Sequence, residues 1–582
     1  MSHHRFFRAA TAVLLLSCLC VAPVQRAAAR VELQGVSGAL RDNVRAFLHL
    51  SDEPCDAPDW RIRRLFDQSD TEIRGALEVF GHYAVGIQKS LISEEDCWVA
   101  TFEIDPGTAV TLRTVEARVQ GPGAEDEAFD RLVNANPLVT GLTLNHVDYD
   151  AFKKRFTGLA SRRGYFDGRF IESRVDVYPA ELAADITLIY ETGERYRFGS
   201  LSIEQTVVRP NLVERFIDFE PGQPYDAGKI SGLYEALLLT NYFDEIDVRT
   251  EARPAPDLDV PIVVRLTAAK PQTYTAGIGF GTDTGPKVRA GYINRRLNNK
   301  GHQFELNASV SPVISEAGAS YRLPLRDPRA EWLNFDTGYK YEDTDTLESR
   351  QAKFGIKRIK RRWTDWLQTQ FIDLSYEDFE IGEEDGTSLL LIPGISWTQV
   401  RTSGPPRPVR GHRLNLQLSG TAEALGSDAQ FLQVDLFGKF IRPLWAGARL
   451  IARGEAGMTW KEQFRDLPAS VRYFAGGDFS VRGYDYKTLG PTDDAGDVIG
   501  GSNLLVGSLE LDQRVAEKWS VAAFVDTGNA FQDFDDLGLK TSVGAGVRWY
   551  SPLGPIRLDL GFPLDSDAPD SVRIHITLGP DL

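Results

Sequence analysis

The sequence contains no long apolar segment beyond its first two dozen residues. A helix that crosses a membrane needs about 18 or more consecutive apolar residues. After the N-terminus, the richest apolar stretch is residues 389–392, directly before a proline. A helical membrane protein is therefore excluded.

Basic charge is also in deficit. The chain has 65 Lys and Arg against 82 Asp and Glu, for a formal net charge of −17. The basic residues do not cluster over any domain-sized stretch, as a nucleic-acid-binding surface requires. We expect no nucleic-acid partner.

Catalytic and metal-binding signatures are missing as well. The eight histidines are scattered, without the HExxH, CxxC or His–carboxylate spacings typical of metal sites. Neither a GxSxG nucleophile elbow nor a phosphate-binding P-loop occurs. We expect no enzymatic activity, no cofactor and no metal.

Residues 1–29 have the pattern of a secretion signal. Two arginines precede an apolar core at residues 9–21, and three alanines ending at Ala29 provide a small-residue cleavage site. The alternative is a lipoprotein processing site ending at Cys18, which Leu16 fits poorly. The pattern predicts an exported protein of a Gram-negative-type cell.

Cysteines are scarce, and two of the four would be removed with the signal. The remaining pair is Cys55 and Cys97. An even pair in an oxidising compartment is typical of a disulfide. Two unrelated buried thiols remain the alternative, because the sequence does not show that the pair lie close together.

Residues 30–270 repeat a pattern every 75 to 85 residues. Each copy has a strand, a helical stretch, a Gly or Asn followed by aromatic residues, and two more strands. The junctions lie at residues 81–83, 164–166 and 241–243. Gly or Asn there is typical of a helix C-cap in the left-handed conformation. The predicted order of each copy is β-α-α-β-β.

This order and its aromatic signature resemble POTRA domains, the periplasmic modules of the outer-membrane assembly family. The resemblance implies three units, predicted at residues 30–108, 109–194 and 195–270. The repeated aromatics Tyr83, Phe166 and Phe243 are interpreted as core residues. An exposed sheet edge on such a unit can capture an extended client by strand addition.

From Tyr274 onward the hydrophobic period changes to two. Sixteen alternating segments fill residues 271–582, at about 20 residues per strand with its loop. Transmembrane barrels have strands of roughly 9–11 residues with short turns, and closure pairs their backbone groups in lipid. The predicted fold class is therefore three α+β POTRA domains followed by a 16-stranded antiparallel transmembrane β-barrel.

An insertion at residues 461–500 separates the eleventh and twelfth segments. Three motifs occur in order, in this insertion and after it, and together they resemble those of the BamA/TamA superfamily: a VRG(Y/F) loop that folds into the lumen, an FxDxG strand and a penultimate hairpin at 544–561. The loop motif is Val481, Arg482, Gly483 and Tyr484. The FxDxG residues are Phe524, Asp526 and Gly528.

Two acidic residues near these motifs predict a site for the loop arginine. Glu510 and Asp526 are 16 residues apart around a turn near residues 517–518, so we expect them opposite each other and facing the lumen. Two confined acids repel unless a cation joins them, and the planar guanidinium of arginine can bond both. The resemblance carries the family's loop arginine onto Arg482, its FxDxG aspartate onto Asp526 and its strand glutamate onto Glu510.

The first barrel strand (275–283) and the last (572–578) are predicted to meet in a weak seam where a client strand pairs transiently. Glycines give the first strand little side-chain packing. An equally acceptable interpretation is that they only bend the strand to close the barrel. The residues assigned to the seam are Gly277, Gly279, Gly281, Ile574 and Ile576.

Three POTRA units, the lack of a preceding plug helix and a C-terminal LGP tail in place of the usual terminal aromatic resemble the TamA branch of the superfamily. The resemblance implies a barrel in the outer membrane, with periplasmic POTRA domains that receive unfolded outer-membrane proteins such as autotransporters. It also implies an inner-membrane-anchored TamB-like partner and contact with outer-membrane lipid. The alternatives are a secretion or solute pore, disfavoured because porins lack these motifs, and the terminus of a lipid-transport path.

Overall fold

The computed structural model describes residues 30–578, apart from 95–96, 251–256, 364, 405–406, 552–553 and 566–571. The predicted secretion signal and residues 579–582 lie outside the described residues. No described helix is both long and apolar enough to span a membrane. The chain divides into two compact units. Of the described residues, the first contains 30–198, 222–227 and 257–260, and the second contains 199–221, 228–250 and 261–578.

Three small sheets follow the predicted β-α-α-β-β order. The first contains β1 (Arg30–Gln34), α1 (Gly38–Phe47), α2 (Asp59–Glu78), β2 (Gly86–Glu94) and β3 (Cys97–Asp105). The second contains β4 (Thr111–Gln120), α3 (Glu127–Asn134), α4 (His146–Arg163), β5 (Arg169–Tyr178) and β6 (Ala183–Glu191). The third contains β7 (Arg197–Glu204), α5 (Pro210–Glu214), α6 (Ala227–Thr240), β8 (Phe243–Thr250) and β9 (Asp259–Ala268). In each sheet the last strand of the unit lies in the middle.

The first of the three β-α-α-β-β domains, called POTRA units below, shows why these sequences fold as a sheet covered by helices. Alternate residues of β3, namely Ala100, Phe102 and Ile104, are buried and pack with Ile73 and Leu77 of α2. Burial of such side chains is the main favourable contribution to a small domain. A disulfide joins Cys55, in the segment between the helices, to Cys97 at the start of β3.

The repeated junctions connect each unit to the next part of the chain. The Val110 N–H donates to the Gly81 carbonyl at 2.9 Å, and the Tyr196 N–H donates to the Gly164 carbonyl at 2.9 Å. Both glycines have positive φ, +83° and +84°, which favours glycine. The first hydrogen bond links the first unit to the second, and the other links the second to the start of the third.

Two of the three junction aromatics differ from the expected core role, whereas Phe243 is buried as expected. The Tyr83 hydroxyl bonds to His146 Nε2 at 2.8 Å, and its ring packs on the core of the second unit. Phe166 packs edge-on against Tyr196 and Tyr225. Both side chains therefore contact the following unit.

The third junction connects the third POTRA unit to the barrel. Tyr242 is buried, and its hydroxyl donates to the Gly301 carbonyl at 2.5 Å. Burial raises the pKa of Tyr242 to about 12, so the hydroxyl stays protonated and remains a donor. Gly301 has a φ of +76°, and a Cβ there would lie 2.6 Å from the Leu212 side chain. Glycine at this position allows the close approach.

Residues 272–578 form one antiparallel sheet of 16 strands, which confirms the predicted fold class. Neighbours in sequence are neighbours in the sheet. The strands are β10 (Gln272–Gly281), β11 (Gly285–Asn294), β12 (Gln303–Val310), β13 (Ile314–Pro324), β14 (Glu331–Asp343), β15 (Leu347–Arg362), β16 (Trp366–Ile381), β17 (Glu384–Thr402), β18 (Gly411–Thr421), β19 (Phe431–Pro443), β20 (Ala448–Lys461), β21 (Asn503–Ala516), β22 (Trp519–Phe531), β23 (Lys540–Ser551), β24 (Gly554–Pro563) and β25 (Arg573–Leu578).

The apolar face of the sheet points outward. Leu306, Val310 and Leu416 are exposed, whereas the polar residues between them, such as Ser309, turn inward. An exposed apolar belt with a polar interior is the pattern of a barrel in lipid. The alternation in the sequence could not show which face points outward, and the exposure of these side chains now does.

The insertion between β20 and β21, residues 462–502, folds back inside the barrel; we call it the lumenal loop. Val481, Tyr484 and Leu489 of the loop form a buried cluster with Leu504 and Val506 of β21. These two strand residues lie on the same face as Glu510, so the loop packs on the inner wall.

Candidate functional site: the lumenal loop and the barrel seam

Glycines allow the tip of the lumenal loop to lie against the barrel wall. Gly483 has a φ of +112°, and a Cβ there would lie 2.9 Å from the Ser542 Cβ and 3.2 Å from the Pro563 nitrogen. On the wall, a Cβ at Gly561 would lie 2.6 Å from the Gly483 nitrogen. A side chain at either position would push the loop away from β23 and β24.

This approach brings together the three residues that the sequence assigned to loop anchoring. The Arg482 guanidinium donates from Nε and Nη2 to the two oxygens of Asp526, at 2.7 and 3.0 Å. Its Nη1 donates to Glu510 Oε2 at 2.8 Å, and its backbone N–H donates to Asp526 Oδ2 at 3.1 Å. The Arg482 side chain is only 8% exposed. The paired contact with Asp526 is the geometry in which arginine is strongest.

Two further charged residues complete the cluster, and the sequence reasoning missed both. Arg482 Nη1 also donates to Asp559 Oδ2 at 3.1 Å. Arg548 donates to Asp559 and, at 2.9 Å, to Glu510 Oε1. Two guanidinium groups and three carboxylates therefore share one buried site. The signal was present: Arg548 and Asp559 are single charges between apolar neighbours in the hairpin at 544–561.

The predicted register of the two acids is wrong. Glu510 pairs with Phe524, and Asp526 pairs with Ser508, so the two carboxylates are diagonal neighbours on the same face. The shift accompanies an irregularity between Arg514 and Ala516 near the turn, and a bulge of this kind cannot be read from spacing. The diagonal leaves room for the Phe524 ring, which lies 3.5 Å from the Arg482 guanidinium carbon.

A second buried cluster lies at the other end of these strands. Arg449 donates to Asp512 Oδ2 at 2.7 Å and to the Tyr550 hydroxyl at 2.9 Å. Arg407, from the turn between β17 and β18, donates to Asp512 Oδ1 at 2.8 Å. Arg449 and Asp512 are almost fully buried.

The two edge strands of the barrel share no ladder among the described residues. Hydrogen bonds that cross between them run from the Thr282 N–H to the Ile576 carbonyl at 3.3 Å, and from the Ile576 N–H to Thr282 Oγ1 at 2.7 Å. By contrast, β24 and β25 pair over six residues. The seam is therefore the weakest junction between neighbouring strands.

The structure places the seam residues unevenly. A Cβ on Gly281 would lie 3.9 Å from the Ile576 carbonyl oxygen, which puts these two residues at the junction itself. Gly277 and Gly279 would meet nothing within 4 Å, and neither has a positive φ. Ile574 is half exposed on the outer face. Steric need therefore does not explain Gly277 or Gly279.

Comparison with known proteins places the chain. Residues 272–581 match the Omp85 superfamily domain, and residues 30–106 match the POTRA domain described as TamA domain 1. The outer membrane protein assembly factor BamA of Nitratidesulfovibrio vulgaris is 25% identical over 421 residues, which cover 68% of this chain and 52% of that protein. BamA of Neisseria meningitidis serogroup B is 24% identical over 488 residues, covering 70% and 60%.

The chain thus spans about half to three-fifths of the length of these curated relatives. Among solved structures, BamA from Haemophilus ducreyi lacking POTRA domains 1–3 aligns with a TM-score of 0.64 at 16% identity. That alignment covers 80% of this chain and 99% of the other, and it supports the fold. Because the superfamily domain matches more than half of the chain, this protein belongs to the Omp85 superfamily, as an outer-membrane barrel with periplasmic POTRA domains.

Proposed function

We propose that the protein is a non-enzymatic assembly factor of the TamA type. Its POTRA domains receive unfolded outer-membrane proteins, autotransporters among them, and its barrel inserts or exports them. The observation that carries this proposal is the seam, where β10 and β25 share no ladder among the described residues. An unpaired strand edge offers a row of backbone donors and acceptors that an extended client strand can use.

The energetics of the membrane favour such an exchange. Each backbone N–H or C=O without a partner in lipid costs several kcal/mol. A client strand that pairs with β10 satisfies these groups on both chains. Ile278 in the middle of β10 is 91% exposed, so this edge also presents an apolar surface to an apolar client.

The cluster around Arg482 supports assembly rather than passive flow. It fixes the lumenal loop inside the barrel through five charged side chains. A loop held in this way obstructs the lumen, whereas a solute pore needs an open one. In the proposed function, Arg482, Asp526 and Glu510 hold the loop in place while the seam accepts a client.

The TamA assignment also implies a partner. The match of residues 30–106 to the first POTRA domain of TamA supports it. The proposed partner is a TamB-like protein anchored in the inner membrane, with outer-membrane lipid surrounding the barrel. Which clients are delivered is tested by crosslinking from the edge strands β2 and β5 in cells.

A disulfide across the seam tests the proposal directly. Cysteines replacing Thr282 and Ile576, which are hydrogen-bonded neighbours, should lock the seam on oxidation. We expect client assembly to stop in the locked protein and to resume after reduction.

The matched control is a cysteine pair replacing Leu560 and Ile574, which already face each other in the β24–β25 ladder. Locking that ladder should leave assembly unchanged. A seam-locked barrel that assembles clients at the normal rate would refute the proposal.

A further inference from the structure

The lumenal loop contacts both sides of the seam through residues outside the Arg482 cluster. The Asp478 N–H donates to Asp283 Oδ2 at 2.8 Å, in the turn after β10. His575 of β25 bonds through Nδ1 to Asp478 Oδ1 at 2.7 Å. The Gly483 N–H donates to His575 Nε2 at 3.2 Å. One loop segment therefore joins the first hairpin to the last strand.

These contacts are well enclosed. The side chains of His575 and Asp478 are 4% and 3% exposed. Gly477, with a φ of +100°, leads into the segment, and a Cβ there would lie 2.6 Å from Asp283 Oδ2. Glycine at 477 thus lets the loop reach the turn. We call Asp283, Asp478 and His575 the clasp.

The two hydrogen-bond partners of His575 indicate which tautomer a neutral ring adopts. Nε2 accepts a hydrogen bond from the Gly483 N–H, so this nitrogen carries no proton. The proton of the neutral ring is then on Nδ1, which donates to Asp478. The ligand atoms of the clasp lie within 4.8 Å of one another, but a cation on Nδ1 would leave the ring with no proton at all. The geometry therefore favours a hydrogen-bonded clasp over a metal site.

Among the described residues, few other hydrogen bonds cross the junction to which the clasp adds. Between the seam strands themselves, the bonds given above involve only Thr282 and Ile576. The clasp adds three hydrogen bonds that run through the loop. Withdrawal of the loop would break all three together. The hold of the loop on the seam is thus comparable to that of the strands on each other.

We propose that Asp283, Asp478 and His575 are positioning residues that keep the seam closed through the lumenal loop. Release of the loop and opening of the seam are then one event. This inference rests on the proposed function in one respect only: opening serves client entry. The effect of the clasp on the width of the seam does not depend on that function.

Spin labels on the outer face measure that width in the full-length barrel in lipid. Ile278 and Ile574 are exposed on the two sides of the seam, and cysteines there can carry labels for pulsed EPR distance measurement. We expect a narrow distance distribution in the parent protein. His575→Leu and Asp283→Ala should each broaden it toward longer distances.

Conservative variants separate the clasp from a general loss of folding. In Asp283→Asn the amide oxygen still accepts from the Asp478 N–H, so its distribution should stay narrow. Asp373→Ala removes another buried lumenal acid, paired with Lys353, and should also leave the seam narrow. Unchanged distances in both His575→Leu and Asp283→Ala would overturn the clasp.

Two additional results complete the test. Removal of divalent cations with EDTA should leave the parent distances unchanged, and broadening would refute the hydrogen-bonded clasp in favour of a cation site. Client assembly is measured on the same variants after locking the seam. If the clasp variants widen the seam but locked barrels still assemble clients, the clasp stands and the proposed function fails.

Discussion

The lumenal loop is held differently on its two sides. Toward β21–β24, Arg482 lies among three buried carboxylates and beside a second arginine. Toward the seam, the loop is held by hydrogen bonds of backbone N–H groups and one imidazole, and by a partly exposed ion pair between Asp485 and Arg573. Buried ion clusters are costly to break once formed, whereas single hydrogen bonds exchange at a small net cost. The strong hold lies where the strands form full ladders, and the weak hold lies where they do not.

Removing Arg482 should have the largest effect, because it removes the strong hold on the lumenal loop. Arg482→Ala removes the guanidinium that pairs with all three lumenal acids, and breaking a buried charge pair commonly costs about 3–5 kcal/mol, less in a hydrated lumen. We expect a folded barrel with a protease-accessible loop, noisier conductance and poor client assembly. Arg482→Lys should restore function only in part, because an ammonium group cannot pair with both oxygens of Asp526.

The control for this experiment is Lys357→Ala, which removes a lumenal cation of β15 that pairs with Asp336 at 3.1 Å, away from the Arg482 cluster. It should not change protease access to the loop. If Arg482→Ala leaves both protease access and conductance unchanged, Arg482 does not anchor the loop.

The first POTRA unit extends the comparison to a covalent link, the disulfide between Cys55 and Cys97. Cys55→Ser with Cys97→Ser opens a loop with a sequence separation of 42, and the chain-entropy estimate for such a loop is about 3–4 kcal/mol. We expect a lower unfolding midpoint for this unit and no change in the barrel. Mass spectrometry of the non-reduced protein checks the bond, and two alkylatable thiols in the untreated protein would contradict it.

Arg548→Met should weaken the anchoring of the lumenal loop to β21–β24 less than the loss of Arg482 does. Methionine keeps much of the volume but leaves Glu510 and Asp559 with Arg482 as their cation, at a cost of about 3 kcal/mol or less. The barrel should unfold at a lower temperature on gels while the loop stays protected. Exposure of the loop to protease in this variant would show that Arg548, and not Arg482, is the main anchor.

Replacing Gly277 and Gly279 with threonine should give the smallest effect, which is a seam that opens less often. Both positions have open space for a Cβ, and β-branched residues favour strands by up to about 1 kcal/mol over glycine. We expect an intact barrel whose seam opens less often, seen as slower strand exchange by crosslinking. Gly318→Thr, away from the seam, is the control. A destabilised barrel would instead support the glycines as bends needed for closure.

The sequence predicted the loop contacts toward β21–β24 better than the loop contacts toward the seam. Arg482, Asp526 and Glu510 were found because they lie in motifs and because two acids on one strand face require a cation. Asp559 and Arg548 sit on the next hairpin, and their approach depends on a register that a bulge shifts. Asp283 and His575 are 292 residues apart in number and meet only because the sheet curves until its first and last strands adjoin. Local spacing contains no signal for such a pair.

The junction aromatics show the same limit on a smaller scale. Their repetition identified three units, yet Tyr83 and Phe166 contact the next unit along the chain. A repeat read from sequence shows that a residue matters to every unit. It does not show on which side of the unit boundary the side chain packs.

The close approach at Gly483 provides a reporter that requires no label. Its amide hydrogen is bonded to His575 Nε2 and lies against the backbone of Gly561, so solvent reaches it only after the loop lifts. The hydrogen-exchange rate of this one amide therefore measures how often the loop leaves the wall. If a client arrives while the loop is lifted, the same rate sets an upper limit on how often the barrel can begin a cycle.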